Sequence, residues 1–185
     1  ENFDIATSYD FDFEFPDLIK SEPIYLETAL AARSSSNTIF DIKKETQTIA
    51  SQEIASVNMS SYTSTYATRN IAKDNFTSST DNFTLRINYN KSSSSSEGWL
   101  DYITLNAQRQ LSLHDDQLIF TYYNSEISAK TIEFVIQNTT TSTKVWNVTN
   151  PTQAQNVLFT NATSSTATIK VEVEPGLNEF IAFNP

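Results

Sequence analysis

The chain contains no cysteine. Disulfides, thiolate metal sites and a cysteine nucleophile are therefore excluded from its 185 residues. Glycine is almost absent too, with only Gly98 and Gly176. Turns must come instead from Asn, Asp, Ser and Thr, which tolerate left-handed backbone or bond locally to it. No apolar run approaches the ~18 residues that a membrane-spanning helix needs. Cations are scarce, 12 Lys and Arg against 22 Asp and Glu, giving a formal net charge of -10. Such a surface repels nucleic acid and anionic lipid. No signal segment stands at the start, and Glu1 reads as the first residue of a processed fragment.

Uncharged polar residues fill the space that charge leaves. Only 18% of the chain is charged, while Ser, Thr and Asn are abundant, a surface composition common in secreted β-proteins. The length suits one large β-domain, or at most two small ones, and can bury a proper core. Period-two alternation then dominates. Tyr9, Phe11, Phe13 and Phe15 alternate with Asp10, Asp12 and Glu14, a half-buried strand with one aromatic and one acidic face. Phe83, Leu85, Ile87 and Tyr89 repeat the pattern, as do Ile132, Phe134, Ile136 and Ile169, Val171, Val173. Shorter strands are expected at Ile39–Ile42, Ile54–Met59, Leu118–Tyr122 and Phe180–Phe183. The last is apolar on both faces, which predicts a central strand. Glu27–Arg33 favours helix by composition, but Pro23 and the Ile24-Tyr25-Leu26 run ahead of it argue for strand. Loops are expected at Ser34–Asn37, Ser78–Asn82, Asn138–Thr143 and Asn161–Thr166, with Ser92–Ser96 as a mobile hairpin tip. Many short strands at this spacing predict an all-β fold, a two-sheet antiparallel sandwich, jelly-roll-like, spanning 1–185 as a single domain.

Little in the chain suggests chemistry. His114, followed by Asp115 and Asp116, has the makings of a general base or metal ligand. It stands alone, between Leu113 and Leu118, and reads better as a solvated turn. Asp10, Asp12 and Glu14 have the oxygens that calcium wants. A strand spaces them ~6–7 Å apart, which suits a solvated face better than one ion. Neither a metal nor any other cofactor is expected, and no catalytic residue is assigned. Aromatics make up 12% of the chain and mostly fall on the apolar phase of a strand. Tyr62, Tyr66 and Tyr123 are less clearly phased and are the candidates for a ligand-facing sugar platform. The Asn-x-Thr sequons at Asn75, Asn82 and Asn161 read as by-products of an Asn- and Thr-rich composition.

From Trp99 to Leu113 the odd positions are Trp99, Asp101, Ile103, Leu105, Ala107, Arg109, Leu111 and Leu113. Asp101 and Arg109 thus interrupt an apolar face, and buried charges need partners. Eight residues of straight strand span ~26 Å, so the two cannot pair with each other. They are assigned structural roles, each with its own partner, unless a bulge shifts the register.

The same segment carries a resemblance. Gly98-Trp99-Leu100-Asp101-Tyr102-Ile103, then Leu105-Asn106 and Arg109-Gln110-Leu111, resembles a stretch of the PorU-type, gingipain-like sortases of the type IX secretion system. Three further pieces are similar in the same order. Phe13-Glu14-Phe15-Pro16 resembles an early Phe/Pro segment. Val145-Trp146-Asn147-Val148-Thr149-Asn150-Pro151 resembles a Trp-Asp-Val-Thr-Asp-Pro signature in which Asn147 and Asn150 replace both aspartates. Glu179-Phe180-Ile181-Ala182-Phe183-Asn184 resembles the segment before the peptidase domain.

The resemblance implies a parent cysteine peptidase that cleaves the C-terminal sorting domain from secreted cargo and helps attach the cargo to surface lipopolysaccharide. The family's catalytic His and Cys would lie beyond Pro185, and no residue here matches them. The implied setting is the cell surface, associated with the outer membrane after export. The implied partners are the peptidase domain of the same polypeptide and, beyond it, secretion-system proteins or cargo. Two roles follow: an accessory β-domain that packs against or orients a peptidase domain, or an independent module binding carbohydrate or protein.

Overall fold

The computed structural model describes residues 1–163 and 165–185. Sixteen strands and no α-helix make up the described chain. They group into two compact units, Glu1–Arg109 and Gln110–Pro185, each with its own apolar cluster. The expectation of one sandwich over 1–185 gives way here to two. Period-two alternation marks which side chains turn inward, but not which core they join.

The first unit contains β1 (Asn2–Phe3), β2 (Ser8–Glu14), β3 (Ile24–Arg33), β4 (Thr38–Lys44), β5 (Gln47–Ile54), β6 (Thr68–Phe76), β7 (Asn82–Asn90) and β8 (Glu97–Asn106). One sheet has the order β1-β8-β3-β6 and the other β2-β7-β4-β5. That interleaving of eight antiparallel strands is jelly-roll topology. The two inner faces meet over Phe3, Leu26 and Leu30 from one sheet and Phe40, Leu85 and Ile87 from the other. Each such side chain contributes about 1.5–3 kcal/mol through burial. Ile24–Arg33 is strand despite its helix-favouring composition, because both flanks are paired, with β6 and with β8. Tertiary pairing overrides a weak propensity.

A polar bridge crosses this core. Thr28 Oγ1 donates to Gln52 Oε1 at 2.8 Å, and Gln52 Nε2 donates to the Asn70 carbonyl at 2.9 Å. Thr28 and Gln52 are both buried. The bridge ties β3, β5 and β6 together and fixes how the two sheets meet along that edge.

Two expectations change. The strand expected at Ile54–Met59 lies earlier: β5 ends at Ile54, and the chain leaves the sheet when the Val57 N–H bonds the Ser34 carbonyl at 2.8 Å. The serine tract expected as a mobile hairpin tip instead joins β7 to β8 from one sheet to the other, with Ser92–Ser95 exposed. Ser96 and Ser34 are buried, and the Ser34 hydroxyl lies 2.7 Å from that of Ser92 and 3.0 Å from that of Ser96.

The second unit contains β9 (Leu111–Ser112), β10 (Gln117–Asn124), β11 (Lys130–Gln137), β12 (Lys144–Asn147), β13 (Gln155–Val157), β14 (Phe159–Ala162), β15 (Thr166–Val173) and β16 (Gly176–Phe183). Its sheets run β10-β16-β12-β13 and β14-β15-β11-β9, antiparallel except where β9 lies parallel to β11. Of the loop expected at Asn161–Thr166, Asn161 and Ala162 belong to β14 and Thr166 to β15, while Ser164 lies outside the described residues. Phe180–Phe183 is central as expected, with β10 on one side and β12 on the other. Phe180 stacks on Phe120 at 5.3 Å between ring centroids in the core. Buried Asn178 shapes the preceding turn, donating to the Glu174 and Gly176 carbonyls and accepting from the Glu174 N–H.

Gly98 is the glycine that packing demands. A Cβ there would sit 2.6 Å from Phe40 Cζ and 3.1 Å from the Tyr89 ring. The Phe40 and Tyr89 rings are themselves stacked, 4.4 Å apart, so neither yields freely. Gly98→Ala should cost about 1–3 kcal/mol by overpacking, read as a lower urea midpoint at unchanged m-value. An unchanged midpoint would mean that the rings move aside.

Candidate functional site

The sheets present unlike outer faces. On β2-β7-β4-β5 the outer face is polar and internally satisfied. Arg86 grips Asp10 with two bonds of 2.6 Å, Thr84 donates to Asp12 at 2.6 Å, and Ser8 donates to Asn88 at 2.6 Å. Asp41 accepts from Ser51 at 2.5 Å and from Asn90 at 2.8 Å. Acidic Asp10 and Asp12, weighed above as oxygen ligands, are thus engaged by the adjacent strand. The bonds hold the Asp10 and Asp41 carboxyls below their ordinary range, through Arg86 for the first and mainly Ser51 for the second.

The outer face of β10-β16-β12-β13 is different. Register puts Ile119, Ile181 and Trp146 in one row across three strands, with Phe183 in the next row and Tyr123 beside Leu177 further along. Ile119 is 64% exposed and Tyr123 68%. Trp146 meets Phe183 edge-on, with 5.4 Å between ring centroids. At the sheet edge a groove of about 520 Å³ opens between Trp146 and Leu158, with Lys144 and Asn156 on its walls. Thr121 and Glu179 form the one polar row crossing the band. Contiguous exposed apolar surface of this kind marks an interaction site.

The chain end beside this band is pinned. The Asn184 N–H donates to the Asp116 carbonyl at 2.9 Å, and Asn184 Oδ1 accepts from Thr143 at 2.6 Å and from Thr140 at 3.1 Å. The apolar surface therefore lies on the strand face, while the last residues are polar and ordered.

The Val145–Pro151 segment supplies Trp146 and then turns. Asn147 Oδ1 accepts from the Thr149 N–H at 3.0 Å, and Asn150 Oδ1 accepts from the Thr152 N–H at 3.2 Å and its hydroxyl at 2.8 Å. Asn150 caps the short 3-10 turn Pro151–Gln153. Thr149 completes the link to β16 by accepting from the Glu179 N–H at 3.0 Å. Both asparagines are used as acceptors, and aspartate would accept in the same way.

Of the charges on β8, Asp101 does not face the core. Opposite β3, Tyr102 pairs with Ala29 and Leu100 with Leu30, so Asp101 is the extra residue of a bulge. The bulge reverses the phase: Gly98 and Leu100 are buried before it, and Ile103 and Leu105 pack on the core after it. Asp101 bonds Arg69 at 2.9 Å with its side chain 61% exposed. Arg109 is half-buried, and its backbone bridges Leu18. His114 is exposed in the turn between β9 and β10. Tyr62 and Tyr66 share the segment between β5 and β6, whereas Tyr123 belongs to the band on the second unit. The sequence reading placed an apolar second face on Phe180–Phe183, and so Ile181, but missed Ile119 and Trp146 as its surface neighbours. The signal was available, since Phe180–Phe183 is apolar on both faces and a two-layer sandwich buries only one.

No family model matches the chain, and no curated protein matches it. Among solved structures it is similar to the dimeric latent PorU of Porphyromonas gingivalis. The TM-score is 0.81 at 16% sequence identity, over the whole of this chain and 18% of that one. The chain thus shares the fold of a part of PorU and spans under a fifth of its length.

Two outcomes test this description. Asn150→Asp should leave stability within ~0.5 kcal/mol, while Asn150→Ala should cost about 0.5–2 kcal/mol through loss of the cap, both read from urea unfolding. Acid should also weaken the fold. Asp10, Glu27 and Asp41 have lowered folded-state values, so their contribution is complete above the ordinary carboxylate range and is lost as pH falls through the lowered values. Asp10→Asn should flatten that acid limb, and an identical limb would remove the Arg86 pair from the account.

Proposed function

We propose that this chain is a non-catalytic accessory β-region of a type IX secretion sortase, exported to the cell surface, and that its β10-β16-β12-β13 outer face packs against the remainder of that polypeptide. The observation that carries the reading is the Ile119, Ile181, Trp146 and Phe183 band. One consideration supports the choice of occupant. The shared fold covers all of this chain but only 18% of PorU, so a protein built on that plan has much further polypeptide to cover the band. A covalently joined occupant needs no binding partner in excess, because its effective concentration is set by the connection.

On this reading the chain contributes surface rather than a reacting group. It holds no cysteine, so the family's nucleophile would come from elsewhere in the polypeptide, and the role left to this region is to support or orient that part.

Hydroxyl-radical footprinting tests the reading on the isolated chain and on a longer polypeptide that contains it. Ile119, Tyr123 and Trp146 should label freely in the isolated chain and be protected severalfold in the longer one. Ile119→Lys should abolish that protection while leaving the unfolding midpoint of the isolated chain nearly unchanged. Equal labelling in both would overturn the proposal. So would protection in the isolated chain that grows with its concentration, since that would assign the face to a second copy.

A further inference from the structure

The bulge at Asp101 has a second consequence, on the outer face of β1-β8-β3-β6. Register sets Trp99, Ala31 and Arg69 in one row across β8, β3 and β6, with Tyr102, Ala29 and Ile71 in the row beside it. Directly opposed residues point to the same side of a sheet. Small Ala31 and Ala29 lie between a ridge of aromatics on β8 and a ridge headed by Arg69 on β6; they leave room for Arg69 to reach across β3, and Ala29 is fully buried. Asp101 follows Trp99 onto this face by alternation, where it reaches Arg69 at 2.9 Å, and the bulge brings Tyr102 onto the same face. Re-aiming a side chain is what bulges near functional sites do.

The segment between β5 and β6 adds two further elements. Tyr66, 64% exposed, lies 6.3 Å from Trp99 between ring centroids. Arg33 fixes it twice, with its guanidinium 4.3 Å over the ring and Nη1 donating to the Tyr66 carbonyl at 3.0 Å. The ring is thus held in place before any ligand arrives, which lowers the ordering cost of binding. A cleft of about 430 Å³ shares Arg69 with this face and is otherwise lined from the same segment by Ser56, Val57, Asn58, Ser64, Thr65 and Ala67, with Thr68 of β6. That volume lies within the range of small-ligand sites. Tyr62 on the same segment is 107% exposed.

We infer that this face is a binding site for a neutral sugar residue of a glycan. A pyranose offers an apolar C–H face and a rim of hydroxyls that both donate and accept. Tyr66 and Trp99 match the first. The Arg69–Asp101 pair matches the second, because it presents donors and acceptors together and carries no net charge. The hydroxyl and amide groups of the cleft extend the polar rim. An anionic sugar is the poorer match, since both nearby guanidiniums are already engaged, Arg33 by Tyr66 and Arg69 by Asp101. On the β2-β7-β4-β5 sheet, the carboxylates of Asp10, Asp12 and Asp41 are bonded to adjacent strands instead.

The test uses the intact chain labelled with nitrogen-15 at tryptophan, which gives two indole N–H signals, from Trp99 and Trp146. Trp99→Phe and Trp146→Phe assign them. Titrants are methyl α-mannoside, methyl β-galactoside and N-acetylglucosamine, with glucuronate as the anionic comparison. At least one neutral sugar should move the Trp99 signal saturably and leave Trp146 in place. Tyr66→Ala and Asp101→Asn should each weaken that binding about tenfold or more. Asp101→Asn is isosteric, and an unchanged urea midpoint of each variant reports an intact fold. The inference is overturned if no neutral sugar shifts Trp99, if the shift survives both variants, or if glucuronate binds more tightly. None of these outcomes depends on the apolar band of the second unit.

Discussion

One extra residue in β8 decides which side chains of that strand reach the core. β3 is flanked on both sides, and β8 runs along it for almost its full length. Without the bulge at Asp101, period-two geometry would place Gly98, Leu100, Tyr102 and Thr104 on one side and Trp99, Asp101, Ile103 and Leu105 on the other. A charge would then sit among Ile and Leu at a cost of several kcal/mol unless paired. With the bulge, Gly98 and Leu100 turn inward at one end and Ile103 and Leu105 at the other. Two consequences follow from that switch. Gly98 must lack a Cβ because it lands against Phe40 and Tyr89. Trp99 goes outward, because a large ring cannot occupy the position beside Gly98 and Leu100.

The same strand shows how far the sequence could be read. Alternation located β2, β7, β11 and β15 but not β6 or β12–β14, and the Ile24–Arg33 strand was legible against its composition from Pro23 and the Ile24-Tyr25-Leu26 run. The bulge itself was visible only as an inconsistency: a charge in an apolar phase means either a partner or a register shift, and periodicity cannot choose between them. The two-unit organisation was less legible still. Phe120, Phe134 and Phe180 alternate as regularly as Phe83 and Leu85, yet the first three close one core and the other two a second. The serine run was legible in part: Ser92–Ser95 are exposed as a loop should be, while Ser96 is buried with its hydroxyl 3.0 Å from that of buried Ser34.

Polar faces and apolar faces have been treated differently by this chain. On β2-β7-β4-β5, the Asp10, Asp12 and Asp41 carboxylates take donors from a neighbouring strand. Exposed pairs like these contribute little net stability. What they do is leave few free donors or acceptors for a partner. On β10-β16-β12-β13 the corresponding positions hold Ile119, Ile181, Trp146 and Phe183. Such side chains gain about 0.2–1 kcal/mol per cross-strand pair and leave much of their apolar surface in water. Their presence on a central strand and both its neighbours is therefore explained better by what covers them than by the sandwich they belong to.

The turn after Trp146 separates structural residues from chemical ones. In the sortase signature that this segment resembles, aspartates stand where Asn147 and Asn150 do here. A carboxylate lost from a metal or catalytic site takes its charge with it and the site fails. A carboxylate that serves as a turn acceptor can become an amide, because the carbonyl oxygen keeps the same lone pairs in the same place. Asn147 and Asn150 each accept a backbone N–H two residues on, which is the second situation. The turn in turn fixes Thr149 against Glu179 and so braces β12 against β16, the two strands that carry Trp146 and Ile181. The segment thus supports the apolar band in this chain: Trp146 forms part of the surface, and Asn147 and Asn150 hold that surface in place.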